Sequence, residues 1–387
     1  MKKEMFTVII GLFFGFFIGL NIVAEKSGKV NALNIINVKK SNNQVIGFLP
    51  FWLLDRARVD YSSYLTTLTY FSLTLDVDGS ILKKSNPRES EPGWYALTSG
   101  KADKFLGRAK EKDVRLSIAV FMAGEDGIEK LLENPEENAN NLLKDIAPIM
   151  KKYDFRDLNL DIESVNEASP AAQLRFIKFT KTLKTGLDES GVGTLSIDIS
   201  PTAFIKPYLV DPAGVEPYID EMIIMGYDYH WPGSSVTGPI APLGGGDTIS
   251  EFDTITAITA AKKTIPSHKL ILGIPLYGYE WETLDDFPRA ATIKSTGIVA
   301  SGERIEELLK KCDNCQIGLE KESEESYVIY FDEESNTYHQ IFYPNILSTE
   351  KKIKLVKEGK LDGIALWALG YEDTTILEPL RDYILKN

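Results

Sequence analysis

The sequence predicts a (β/α)8 TIM barrel with a small α+β insertion between strands 7 and 8. Three observations carry this expectation. Eight short β-rich apolar runs recur along the chain, amphipathic segments fall between most of them, and one interval is too long for a single helix. Strands alternating with helices build βαβ units with parallel pairing, and eight such units close a barrel. The runs are VIGFLPF (45–51), LTYFSLTL (68–75), VRLSIAVF (114–121), DLNLDIE (157–163), GTLSIDIS (193–200), DEMIIMGYD (220–228), LILGIPLYG (270–278) and LDGIALWAL (361–369). Helical patterning covers 98–112, 136–152, 170–190 and 250–263. In the long gap after Gly278, residues 302–311 read as a helix and 326–344 as two strands around an acidic turn. Residues 282–345 are therefore expected to form the insertion, and 349–358 the last barrel helix before strand eight, within a barrel domain of 44–387. An insertion at the C-terminal rim would wall one side of an active-site cleft.

Residues 1–24 have a basic start, an uncharged apolar stretch from Phe6 to Leu20 and small Ala24 before Glu25. That is the plan of a signal peptide, or of an uncleaved N-terminal membrane anchor, since the apolar run approaches the span of a thin bilayer. Ala24 and Ala32 are the two candidate cleavage points, and 25–43 reads as a polar linker. Either form places the barrel outside the cytoplasm, secreted or at the cell surface. The 43 basic and 56 acidic residues leave a formal charge of −13. Such a surface repels phosphate backbones, so nucleic acid is excluded as an expected partner. A monomer is the default state.

Cys312 and Cys315 form a lone CxxC. A zinc site takes four ligands, no second CxxC exists, and His230, His268 and His339 are not at ligand spacing. In an exported chain a local disulfide closing a turn is the expectation.

The chemistry concentrates in Asp157–Glu163. Period-two alternation puts Leu158, Leu160 and Ile162 on one face, and Asp157, Asn159, Asp161 and Glu163 on the other. In a barrel strand the apolar face meets the helices, so this polar ladder points inward, ending at the catalytic rim with Glu163. Buried carboxyls are costly without a task. Adjacent acids such as Asp161 and Glu163 do not easily both ionise, which keeps a proton available near neutral pH. A glycosidic general acid needs that property. An oxygen-rich cluster for Mg²⁺ or Ca²⁺ is the competing reading. Asp157 points to the barrel floor and needs a partner, for which Arg115 is the candidate by parity.

The run Phe155–Glu163 resembles the DGxDxDxE signature of glycoside hydrolase family 18. Arg156 and Asp157 stand where that signature has Asp and Gly, and Asn159 where it has Asp or Asn. Parity turns Arg156 away from the ladder. Further segments match: MGYDY (225–229) is similar to the family's MxYD, GIPLYGYEW (273–281) to GxPxYGxxW, and ALWALGYED (365–373) to the strand-eight segment. The resemblance spans about 44–387. Within the family, GFLPFW, the ladder Asn and the late YED look closer to the bacterial spore-germination and cell-wall type.

The resemblance implies a retaining, substrate-assisted glycosidase acting after N-acetylglucosamine, without cofactor or metal. Glu163 would be the proton donor, Asp161 would orient the N-acetyl group, and Tyr227 would hold its carbonyl. Asp228, Met225 and Asn159 would contact or line the substrate site, and Trp367 would floor the −1 sugar. Tyr277 and Trp52 are carried as further substrate-binding candidates; Trp52, Trp231 and Trp281 are as readily core residues as sugar contacts. Chitin, peptidoglycan and protein-linked N-glycans all present this sugar. A lectin-like barrel that binds carbohydrate without cleaving it is the alternative.

Overall fold

The computed structural model describes residues 43–385. The leader expected at 1–24 and nearly all of the linker lie outside them. Eight strands form one closed parallel barrel: Gln44–Pro50, Thr67–Thr74, Arg115–Ala123, Asp157–Glu163, Thr194–Ile199, Glu221–Met225, Leu270–Pro275 and Gly363–Trp367. Each pairs with its neighbour in sequence, and the first pairs with the last from Gln44↔Gly363 to Gly47↔Leu366. The seam is reinforced at its base, where Gln44 Nε2 donates to Glu221 Oε1 at 3.1 Å and to Asp362 Oδ2 at 2.5 Å.

The helices are set by their punctuation. In Pro170–Ser190 the Ser169 side chain accepts from Ala172 N, Pro170 opens the first turn, and Gly191 ends the helix at φ +61°. Phe176, Phe179, Leu183 and Leu187 recur on one side and are fully buried against the barrel's outer face. Each contributes about 1.5–3 kcal/mol by leaving water. The helix expected at 98–112 is instead two, Pro92–Thr98 and Asp103–Glu111. Gly100, at φ +84°, breaks the chain between them. Residues 250–263 shorten to Thr254–Ala261 because Asp253 caps that helix through Thr256 N. The helix before strand eight runs Ile346–Gly359 from an Asn345–Ser348 capping box, and Glu378–Leu385 follows that strand as the final helix.

Strand seven also differs from the sequence reading. Pro275, without an N–H, is its last residue, and Leu276 N donates to Trp367 O at 2.7 Å. From Tyr277 the chain leaves the barrel and enters a five-stranded antiparallel sheet. Its spatial order is Ile298–Ser301, Tyr277–Thr283, Thr337–Tyr343, Glu325–Asp332, Gln316–Glu320. Helix Gly302–Lys311 covers one face, and the Cys312–Cys315 disulfide follows it. On the other face Tyr277, Tyr279, Trp281 and Phe342 pack with Ile240 and Ala241, from the segment after barrel strand six.

A buried ion pair joins these parts. Glu325, fully buried, accepts from Ile240 N at 2.8 Å, Ala241 N at 3.2 Å and Lys352 Nζ at 3.2 Å. Lys352 sits on the helix before strand eight and is 1% exposed. Insertion, rim segment and barrel helix thus share one dry contact.

Candidate active site

The fourth strand carries its ladder inward as the alternation requires. Asp157, Asn159 and Asp161 are buried and Glu163 emerges at the mouth. Arg156, on the opposite parity, is exposed and pairs with Asp154 at 2.5 Å. Asp157 accepts from Ser117 Oγ at 2.8 Å, Ser196 Oγ at 2.7 Å and Thr194 Oγ1. Arg115 lies 3.8 Å from Asp157 Oδ1 and 3.8 Å from Glu221 Oε1. Burial pushes the Asp157 carboxyl up, while Arg115 pulls against that shift. This is a structural floor, below the chemistry.

Above it, Asn159, expected at the substrate site, is buried and lines neither of the two cavities described below; it braces the wall. Its Nδ2 donates to Asp198 Oδ1 at 3.0 Å and to Ser196 Oγ at 3.2 Å. Asp161 comes next, 3% exposed, with Oδ1 buried and without a hydrogen-bond partner. Burial, then the Asp198 and Glu163 charges, raise its carboxyl well above the usual range. Glu163 is exposed to solvent at the mouth, yet crowded enough that partial desolvation and the Asp228 charge raise it too. Together with Asp198 they form an acid cluster that can keep a proton at neutral pH.

Tyr227 and Asp228 follow strand six, which ends at Met225 rather than at 228. Asp228 takes the left-handed conformation, φ +60°, which a short polar side chain tolerates. Tyr277 and Tyr279 hydroxyls donate to its Oδ1 at 2.5 and 2.9 Å. Tyr277 is buried and lines neither of the two cavities beside Glu163, so its part is to hold Asp228 rather than to face the cleft. Tyr227 stands among Asp198, Asp161, Asp228 and Glu163; burial and those four negative neighbours raise its phenol well above the ordinary value. It is therefore a neutral O–H donor throughout the working range.

Two adjoining cavities, about 450 and 490 Å³, share Glu163, Asp198, Met225, Tyr227 and Asp228. The first has an aromatic floor: the Trp367 ring lies 4.6 Å from Phe71 and 6.3 Å from Trp52, centroid to centroid. Non-proline cis peptides precede Ser72 and Ala368 there. Trp52 is 48% exposed; Trp231, 56% exposed, lines the second cavity. Trp281 is a core residue, fully buried, its indole N–H donating to Trp231 O at 3.2 Å. Among the described residues, no Lys or Arg lines either cavity. Among the described residues no group of three or more His, Cys, Asp or Glu is placed to hold a metal ion.

Sequence reasoning missed two members. Asp198 lies on strand five, where Ser196, Asp198 and Ser200 alternate with Leu195, Ile197 and Ile199 as the ladder does. Tyr279 lies two residues beyond Tyr277, on the same face of the insertion sheet.

The sequence profile of Glycosyl hydrolases family 18 matches residues 39–372, most of the chain. The chain belongs to that family. A Bacillus subtilis (strain 168) protein named as a sporulation-specific glycosylase, YdhD, is 26% identical over 345 residues, covering 86% of this chain and 74% of that one. A cortical fragment-lytic enzyme of Bacillus anthracis is 25% identical over 79% of this chain and 65% of its own. Among solved structures, the Ostrinia furnacalis Group IV chitinase with allosamidin superimposes at TM-score 0.74 with 18% identity, covering 89% and 98% of the two chains. The Bacillus cereus spore cortex-lytic enzyme SleL does so at 0.68 with 21% identity, covering 88% and 74%. The protein is a glycosidase of family 18. Its cleft joins protonatable carboxyls, a neutral phenol and an aromatic floor, which suits acid catalysis on a sugar ring.

Proposed function

We propose that this family 18 glycosidase cleaves β-1,4 bonds after N-acetylglucosamine by a retaining, substrate-assisted mechanism. One observation carries the reading: Glu163, raised in pKa, stands at the mouth directly above buried Asp161, whose Oδ1 has no partner within the protein. A glycosidic oxygen over Glu163 takes its proton as the C1–O bond breaks. The 2-acetamido carbonyl oxygen of the same sugar attacks C1 from the other face. Asp161 accepts from the acetamide N–H, steadying the cation of the cyclic intermediate, and the Tyr227 hydroxyl donates to the carbonyl oxygen. Nucleophile and electrophile in one ring supply the orientation effect without a protein nucleophile. Glu163, now a carboxylate, then takes a proton from the water that opens the ring. Trp367 lies beneath the sugar's C–H face.

The substrate class is an N-acetylglucosamine polysaccharide, chitin-like or peptidoglycan. Relatives named for sporulation and the cortex favour peptidoglycan, and the cation-free lining favours uncharged sugars beside the scissile bond. Export through residues 1–24, by cleavage or as an anchor, would bring a monomeric enzyme to such a polymer. The test is mass spectrometry of products from N-acetylated chito-oligosaccharides and purified peptidoglycan, with Glu163→Gln alongside. Cleavage after N-acetylglucosamine that vanishes in the variant is the expected result. Binding without cleavage by both proteins would overturn it in favour of a lectin-like barrel.

A further inference from the structure

Three features of the wall between strands four and five stand unexplained by the ladder alone. Asp161 Oδ1 is buried without a hydrogen-bond donor. Asp198, 6% exposed, is its inward neighbour, because the register that pairs Leu160 with Ile197 places the two acids side by side one residue on. Adjacent strands lie about 4.8 Å apart, so both carboxyls reach the same space. Finally, Asn159 Nδ2 occupies Asp198 Oδ1 at 3.0 Å, which leaves Oδ2 as the oxygen free to carry a proton.

We propose that Asp198 is a positioning residue of the glycosidase: as a neutral acid it donates a hydrogen bond to Asp161, holding that carboxylate ionised and aimed at the acetamide N–H. The proposal rests on the mechanism above. Two ionised carboxylates here would only repel, and each would offer the other an acceptor. A proton on Asp198 turns the same contact into a charge-assisted hydrogen bond and supplies the donor that Asp161 lacks. No bond to carbon is made or broken, and the pair carries one negative charge.

The surroundings agree. Asp157, Asn159, Asp161 and Glu163 face Asp198 from strand four, Ser196 from its own strand, and Tyr227 and Asp228 from beyond strand six. None of these is a cation; Arg115 is engaged with Asp157 and Glu221 at the floor. Burial, with the Glu163 and Asp157 charges, pushes the Asp198 carboxyl up to about 8, against the pull of the Asn159 amide.

The test compares wild type with Asp198→Asn, which keeps a neutral donor, and Asp198→Ala, which removes it. Carboxyl ¹³C resonances read the resting proteins, and pH profiles of kcat and KM on chito-oligosaccharides read the reaction. In wild type the Asp198 resonance should be that of a protonated acid at pH 6.5. Asp198→Asn should keep kcat within about threefold, while Asp198→Ala should lose tenfold or more in kcat with KM little changed. Losing the donor should also raise the Asp161 titration, and with it the acidic limb of the profile, by about one pH unit in the Ala variant only. An ionised Asp198 at pH 6.5, or equal damage in both folded variants, overturns the proposal. If wild type cleaves no sugar, the functional reading fails instead, and the resonances still decide the pairing.

Discussion

Lys352 offers the sharpest test of how the cleft wall is held. Lys352→Met keeps the length of the side chain and removes its ammonium. What remains is the Glu325 carboxylate, fully buried, with only the Ile240 and Ala241 amides as donors. Because neither partner reaches solvent, screening does not soften the loss, and breaking such a pair from one side costs about 3–5 kcal/mol. Replacing both ends, Lys352→Met with Glu325→Gln, leaves no buried charge and should cost clearly less than the single lysine variant. Urea unfolding at pH 7 measures both. The same loss should reach the cleft, since Ile240 O also receives Tyr229 N at 3.0 Å, one residue from Asp228. A KM that rises in the single variant and recovers in the double would follow from that link. A single variant within about 1 kcal/mol of wild type, or a double variant as damaged as the two singles added, would refute the reasoning.

Two further outcomes are expected. Arg115→Ala should destabilise the barrel by about 2 kcal/mol at pH 7, since the Asp157 floor loses its opposing cation. Asp157 is already raised when folded, so removing Arg115 raises it further. The native state then holds its proton to higher pH, and the deficit should shrink as pH falls toward the unfolded carboxylate range and grow as pH rises from it. Thermal unfolding at pH 4.5 and 7 checks the sign, and a pH-independent deficit would contradict it. Trp52→Ala removes an exposed ring that edges the Trp367 floor. KM for chito-oligosaccharides should rise roughly tenfold with kcat within about threefold, measured by steady-state kinetics.

The barrel strands were legible because each is a short apolar run whose two faces differ, and the ladder because polar residues broke that pattern at period two. Asp198 shows the limit of this legibility. Its strand has the same alternation, but one acid between two serines does not announce chemistry until the register sets it beside Asp161. Trp281 and Tyr277 share the difficulty from the other side. Their motif is visible, yet only the turn after Pro275 decides that they sit on a second sheet, each packed against Tyr279, rather than under a sugar. The strands Ile298–Ser301 and Gln316–Glu320 were missed because they lie at sheet edges, short and largely exposed, with no more than three consecutive apolar residues to mark them. The helix read at 98–112 failed at Gly100, where a backbone conformation outweighed a continuous amphipathic pattern.

The barrel's seam has a consequence for how the molecule comes into being. Gln44 and Asp362, bonded across it, are 318 positions apart, so the first strand must wait for nearly the whole chain before its outer edge finds a partner. Until then a seven-stranded sheet would present two open edges, the arrangement most prone to wrong pairing, and closing so long a loop is slow. The strand that ends this wait also brings Trp367 to the cleft. A half-made molecule therefore has neither a sealed sheet nor a floor for its ligand, and the capacity to bind would appear only with the last strand.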